Sequence, residues 1–457
     1  MPAPGQPRAW RGFPLSASAG ETRAVVAIVT IGALLRLFGA WRAGLSYDES
    51  LIWACVRDLD LSREALASAA VDHPPLGALI VRTSAWIFGP SDLGLRLLHT
   101  LAAAAAPFIV YRLGRALWTP DAGLLAAALL AVDQFHVSWS RLFVEDGLLL
   151  TFEAGALLLW WRAATGSGRG RWTQAGLVLG LTVLLKETAI LLGAALFLSL
   201  MLDRRGRAAL RTPGPAAAAL VGLAIVGAGY AVDAGRAAPG FLDRDADIVA
   251  QRWGLSAKAL SLYVGEALRA AVDTNALDSD YGRVPARAMW WPVGAAYLVA
   301  VLASLRRAGE PGTRLLLLVF GVVFVTTTLV DADKVFEPYW WAALTVVPAI
   351  LLGARALELQ AARRHVALPA LAVGLAVALA LVDVSWLSLA TEATPRRSRT
   401  EWAEALAADG LERLRAGDHA SARHQARTAL ILDPRAPAAQ ALADAIRAAG
   451  TPGPSDR

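Results

Sequence analysis

Residues 24–75 read AVVAIVTIGALLRLFGAWRAGLSYDESLIWACVRDLDLSREALASAAVDHPP, and the change of character at Leu45 decides what kind of chain this is. Ala24 to Ala43 is apolar for the length of about 20 residues that a helix needs to cross a bilayer. Leu45 to Pro75 then carries Tyr47-Asp48-Glu49 and Asp72-His73-Pro74-Pro75, the most titratable stretch near the start of an otherwise lipid-soluble chain. A membrane-spanning run followed by paired carboxylates places acid–base groups where a lipid headgroup lies, so this loop is read as the reactive part of the molecule.

Outward from that stretch the apolar residues come in long blocks. The chain is 56% hydrophobic over 457 residues, with a mean hydropathy of +0.47. Runs such as Ala367 to Val382 have no water to satisfy their backbone groups inside a bilayer and must be helical. The strict alternation of a membrane β-barrel is missing. The blocks are Ala24 to Ala43, Leu95 to Leu117, Leu124 to Ser138, Gly147 to Trp161, a broken pair Thr173 to Leu185 and Thr188 to Leu202, Ala216 to Ala231, Arg287 to Leu305, Leu315 to Val330, Trp340 to Leu359 and Ala367 to Leu387. The expected fold is an all-α polytopic membrane protein of about eleven spans. Pro75 to Phe88 is too short to cross and contains Arg82, so it is expected to lie on one membrane face.

The net charge of +6 falls in short arginine clusters between blocks, which is topology information and excludes a nucleic-acid footprint. Arg112/Arg115, Arg162/Arg169/Arg171, the cluster Arg204 to Arg211, Arg306/Arg307/Arg314 and Arg355/Arg363/Arg364 occupy every second loop, so these loops and residues 1–23 are expected in the cytoplasm. Asp48, Glu49, His73, Arg96, Arg141, Glu145, Asp146, Lys186, Glu187 and Glu337 then share the extracytoplasmic side with the loops 44–94 and 235–286 and with the C-terminus. A multi-pass inner- or plasma-membrane protein with a retained signal-anchor helix is expected. A single cysteine, Cys55, excludes an internal disulfide and any cysteine-based zinc cage.

The membrane domain is expected over 24–390, with a linker at 391–400. Residues 401–449 are alanine-rich, charged and helical; Leu406, Gly410, Ala422, Ala429 and Pro434 have the spacing of one tetratricopeptide unit, with Gly417-Asp418-His419 as its turn. This segment is expected to cap the membrane domain or bind a partner protein, and 450–457 to be disordered.

An N-terminal span, an outer Tyr-Asp-Glu loop, His73-Pro74-Pro75-Leu76, Arg96 opening the next span, Ser140-Arg141 to Asp146 and Leu184-Leu-Lys-Glu-Thr-Ala189 together resemble the GT-C glycosyltransferases. They are most similar to bacterial relatives of the protein O-mannosyltransferases and of the aminoarabinose transferases. The resemblance covers Ala24 to Leu202. It implies transfer of a sugar from a polyprenyl-phosphate carrier in the membrane lipid to an acceptor hydroxyl outside the cytoplasm. In that scheme Asp48 is the base with Glu49 beside it, and Arg96, Lys186 and Arg141 bind the donor phosphate. His73, Glu145, Asp146, Glu187 and Glu337 complete the site. Some branches use a divalent metal, here bridging Asp48 and Asp146, and others use none. Where the family often has Gly-Lys after His-Pro-Pro-Leu, this chain has Gly77-Ala78.

The chemistry agrees with those residue types. A base must take the acceptor proton, and cations must stabilise the departing phosphate. Because the phosphate leaves on a lipid, no glycine-rich nucleotide loop is needed, and none is present. The alternative is a transporter or flippase for a lipid-linked sugar. That class favours matching broken helices in two halves, whereas the break at Lys186-Glu187 has no counterpart.

Overall fold

The computed structural model describes residues 18–38, 40, 45, 49, 52–53, 56, 74–166, 169–233, 287–329, 338–364, 367–393 and 399–449. The N-terminal tail 1–17, the long loop 234–286, residues 330–337 and the tail 450–457 lie outside them, as does the side chain of Asp383.

The described residues form helices and no strand. The first group is α1 Ala19–Leu37, α2 Leu76–Phe88, α3 Asp92–Ala104, α4 Ala106–Leu117, α5 Pro120–Ala131, α6 Gln134–Trp139, α7 Glu145–Thr165, α8 Arg169–Leu185 and α9 Ile190–Leu202. After these come α10 Arg204–Leu210, α11 Pro213–Asp233, α12 Arg287–Ser304, α13 Pro311–Leu329, α14 Pro338–Arg363 and α15 Leu368–Ala393. The C-terminal unit is α16 Arg399–Arg415, α17 His419–Leu432 and α18 Pro437–Ala448. Since α15 runs to Ala393 and α16 starts at Arg399, only 394–398 separate the bundle from this unit.

Among the described residues three spans qualify singly as membrane-crossing by length and composition: Asp92–Leu117, which joins α3 and α4, Pro213–Ala231 and Leu344–Arg363. Shorter apolar helices complete the bundle, and burial explains their shortness. Ala122 through Ala131 of α5 are buried without interruption. A helix apolar on every side belongs in a core, away from lipid, and α5 is walled in by α1, α4, α14 and α15.

Without a hydrophobic drive between helices in lipid, close approach depends on small residues. Gly176 and Gly180 of α8 meet Ala218 and Gly222 of α11, so that a Cβ added at Gly176 would stand 2.2 Å from the Ala218 carbonyl oxygen.

α2 does not cross. Its thirteen residues bury Gly77, Ala78, Val81, Ser84 and Ala85 and leave Trp86, Ile87 and Phe88 exposed at its end. That apolar tip suits a helix lying along a membrane face.

The bundle has two chemically different ends, and α1 runs from one to the other. Its start, with the Ser18/Glu21 capping box, is held by Arg115, whose Nη1 lies 2.9 Å from Glu21. The same end carries Arg314–Asp203, Arg307–Glu310 and Arg355–Glu358. The far end of α1 leads to Leu45, Glu49 and the groups described next. The C-terminal unit docks at that far end. It has its own core, in which Leu406, Ala422, Ala429, Leu442 and Ile446 are buried, and Trp402 Nε1 donates to the Leu45 carbonyl at 2.8 Å.

Candidate active site

The segment Arg141–Asp146, between α6 and the first turn of α7, is the hub of the far end. Four distant pieces of chain meet it. Arg141 Nη2 donates to the Phe38 carbonyl at the end of α1 at 2.6 Å. The Phe143 backbone N–H donates to Glu49 Oε1 at 3.1 Å. Glu145 packs over Gly77 of α2, where an added Cβ would lie 2.7 Å from Glu145 Oε1. Asp146 receives the Lys186 ammonium at 2.7 Å.

Two buried ion pairs flank this hub. Arg96 of α3 grips Glu49 through both ends of its fork, Nε to Oε1 at 2.7 Å and Nη2 to Oε2 at 2.5 Å, and its Nη1 donates to the Ala40 carbonyl at 3.0 Å. The side chains are 1% and 0% exposed. A bidentate, desolvated pair of this kind is a strong geometric constraint.

Arg96 gives Nε and Nη2 to Glu49, and Glu49 also accepts from Phe143 N–H, so the geometry fastens Glu49 against α3 and the hub.

Lys186 stands where the chain breaks between α8 and a 3₁₀ turn, Glu187–Ala189, before α9. Its side chain is 2% exposed and that of Asp146 6%. An intramembrane lysine is tolerated only with such a partner. Glu187 is half-buried in the same turn, and the buried Thr188 Oγ1 has no hydrogen-bond partner among the described residues. Arg141 is the cation with capacity in hand, because its Nε makes no hydrogen bond among the described residues. Burial, followed by the neighbouring Arg96, lowers its pKa to about 10, which keeps it charged at neutral pH.

Beneath the hub lies a polar layer that the charge pattern had not singled out. Arg36, fully buried in α1, donates to the carbonyls of Gly32, Ala131 and Leu130 at 2.7, 2.9 and 3.1 Å and to His136 Nδ1. Arginine has no acceptor, so Nδ1 is the unprotonated nitrogen, and Nε2–H donates to the Gly147 carbonyl at 3.2 Å. Asp133 caps α6 by accepting from His136 N–H at 2.9 Å. The rule that flags an ionisable residue inside a span finds Arg36; applied to the loops alone it passes it by. Glu153, two turns into α7, is fully buried and neither of its oxygens finds a hydrogen bond among the described residues.

Asp48, His73, Lys334 and Glu337 lie outside the described residues. Among the described residues no three His, Cys, Asp or Glu side chains gather as a metal set. Asp146, the described member of the expected bridging pair, gives Oδ1 to the Lys186 ammonium.

With this geometry in hand, the comparisons with known proteins become specific. Residues 72–229 match the sequence family described as dolichyl-phosphate-mannose-protein mannosyltransferase. No curated protein shows a significant sequence match. ArnT from Cupriavidus metallidurans, solved bound to undecaprenyl phosphate, superimposes with a TM-score of 0.56 at 15% identity, covering 93% of this chain and 77% of ArnT. The Archaeoglobus fulgidus oligosaccharyltransferase, solved with zinc and sulfate, superimposes with a TM-score of 0.50 at 17% identity, covering 84% of this chain. The chain spans 55% of the length of that oligosaccharyltransferase. The fold is GT-C. The matched segment, from the Asp72-His73-Pro74-Pro75 motif through α11, aligns with the mannosyltransferase family over 72–229 and holds most of the described site.

Proposed function

We propose that this protein transfers a sugar from a polyprenyl-phosphate carrier to a hydroxyl acceptor on the extracytoplasmic face of the cell membrane. The observation that carries the reading is the convergence of Phe38, Glu49, Gly77 and Lys186 on the single segment Arg141–Asp146 at one end of the bundle. ArnT, which shares the fold, was solved with undecaprenyl phosphate, a lipid phosphate of the kind proposed here. The arginine-rich opposite end supports a cytoplasmic assignment for that end, with the site and the C-terminal unit outside.

In this scheme Asp48 takes the proton of the acceptor hydroxyl as its oxygen attacks the anomeric carbon. The bond from that carbon to the phosphate oxygen breaks, and the lipid phosphate leaves with the electron pair. Arg141, through its unspent Nε, and Lys186 stabilise the developing charge. Glu49, fixed by Arg96, adjoins Asp48 in the chain, and His73 and Glu337 are further members of the proposed site.

The test is label transfer in membranes whose polyprenyl-phosphate sugars are radiolabelled. Wild type moves label to an acceptor, and Asp48→Asn, folded and present in equal amount, does not. Full transfer by Asp48→Asn would remove Asp48 as the base. A lipid-linked sugar that changes leaflet with no label transferred would turn the assignment to a flippase.

A further inference from the structure

We infer that the arginine-rich end of the bundle holds a binding site for an anionic phospholipid of the adjoining leaflet, with the lipid phosphate at Arg314. The site lies at the opposite end from the hub, and the inference does not depend on the proposed transfer reaction.

The ends of α7 and α9, the turn into α10 and the start of α13 surround a cavity of about 510 Å³, its open mouth included. Its wall includes Trp160, Leu200, Asp203, Arg314 and Leu315. Mostly apolar pockets of roughly 300–1,000 Å³ with a few polar groups are the usual form of a small-ligand site. The sequence sets this mixture. α9 is apolar up to Leu202 and then meets the basic run that begins at Arg204, while Arg314 in the first turn of α13 is followed by four leucines, Leu315 to Leu318. Groups suited to a headgroup and groups suited to a lipid chain therefore share one wall.

Arg314 Nη2 donates to Asp203 Oδ1 at 2.7 Å, and Asp203 Oδ2 accepts from the Gly206 N–H at 3.2 Å. The two side chains are 30% and 26% exposed, so the pair is open to a ligand. Only Nη2 of the Arg314 guanidinium is used among the described residues, which leaves Nε and Nη1 as donors for a phosphate oxygen. Asp203 offsets one positive charge, but Arg204, Arg207 and Arg211 follow it closely in the chain and are exposed. The local field favours an anion.

The apolar share of the wall favours a lipid over a free anion. Trp160, Leu200 and Leu315 are 1%, 2% and 4% exposed, whereas Met201 and Leu202, between two wall residues in the chain, are 57% and 49% exposed and suit contact with acyl chains. Basic pockets between membrane helices are known to take anionic headgroups. The cavity admits the phosphate and the first methylenes, and the rest of the chains stay in the bilayer.

The test uses the full-length protein, stripped of lipid in detergent. It is titrated with phosphatidylglycerol, with phosphatidylcholine of the same chains, with undecaprenyl phosphate or with inorganic phosphate. Native mass spectrometry reads retained lipid, and thermal unfolding reads stabilisation. One phosphatidylglycerol should be retained per protein and raise the melting temperature. Phosphatidylcholine, whose quaternary ammonium meets the arginines, should be retained several-fold less, and inorganic phosphate should neither stabilise the protein nor displace the lipid. Arg314→Gln should weaken phosphatidylglycerol binding by roughly 10- to 100-fold, the worth of hydrogen bonds to a charged group. Thr165→Trp, at an exposed wall position ending α7, fills the space with both charges in place and should weaken binding as well.

Equal retention of the two phospholipids would overturn the inference, and so would wild-type retention in either variant. Displacement by inorganic phosphate would make this a free-anion site, and stronger retention of undecaprenyl phosphate would give it to a carrier lipid; both outcomes overturn the assignment. If Arg314→Gln does not fold, Thr165→Trp decides.

Discussion

Glu49→Gln tests the clamp at the centre of the site. The substitution keeps the shape of the side chain and exchanges one oxygen for an amide NH₂. Arg96 presents two donors, Nε and Nη2, and Phe143 presents a third. A glutamine can offer its single oxygen to only part of that set, and its NH₂ must face a donor in either flip. The guanidinium, 1% exposed, loses the carboxylate that takes both arms of its fork. Breaking a buried pair from one side costs about 3–5 kcal/mol. Against a total stability of roughly 5–15 kcal/mol for a folded domain, that is a large share. Activity is the wrong readout, because residue 49 adjoins the proposed base. The assay is thermal unfolding of the purified protein in detergent at fixed scan rate, beside the yield of protein extracted from membranes. Glu49→Gln should lose both yield and melting temperature. The double variant Glu49→Leu/Arg96→Leu should lose less than the sum of the two single changes, since it removes the stranded charge. A Glu49→Gln protein with wild-type melting, or strictly additive single and double effects, would refute the clamp.

Two further outcomes follow from the same geometry. Asp146→Asn removes one charge of the buried Asp146–Lys186 pair and should destabilise the protein by about 3–5 kcal/mol, whereas Asp146→Asn/Lys186→Gln should regain melting temperature without regaining label transfer. Recovery of both properties in the double variant would show that the pair is structural only. At the α8–α11 contact, Gly176→Leu should lower melting temperature and yield by an overpacking cost of about 1–3 kcal/mol or more, because the side chain meets the Ala218 backbone and cannot rotate away; a wild-type melting curve would mean that the helices are not in contact there.

Much of the fold was legible because hydropathy is a local property. The length of the apolar blocks, the polar break after Ala43 and the interruption at Lys186 can be read from neighbouring residues, since a bilayer imposes the same requirement on each segment separately. The order Tyr47-Asp48-Glu49, His73-Pro74-Pro75 and Lys186-Glu187 was likewise enough to point to GT-C. The short helix α5 was less legible, because a helix of twelve residues is admissible only where others cover it on all sides.

Pairing was beyond the sequence. It shows which residues carry charge and, through alternating loops, which of them share a membrane face. It does not show distance, and an ion pair is decided by distance. The pairing of Arg96 is not in its letter; the fold brings Glu49, 47 residues away, against it. Arg36 with His136, 100 residues apart, and Trp402 with Leu45, 357 apart, are contacts of the same kind. Composition and periodicity determined that this chain is a helical membrane protein with a carboxylate-bearing stretch after its first apolar block. Only tertiary structure decided that Glu49 is held and Arg141 keeps a donor to spare, because desolvation makes every buried charge choose one partner from those the packing brings within reach.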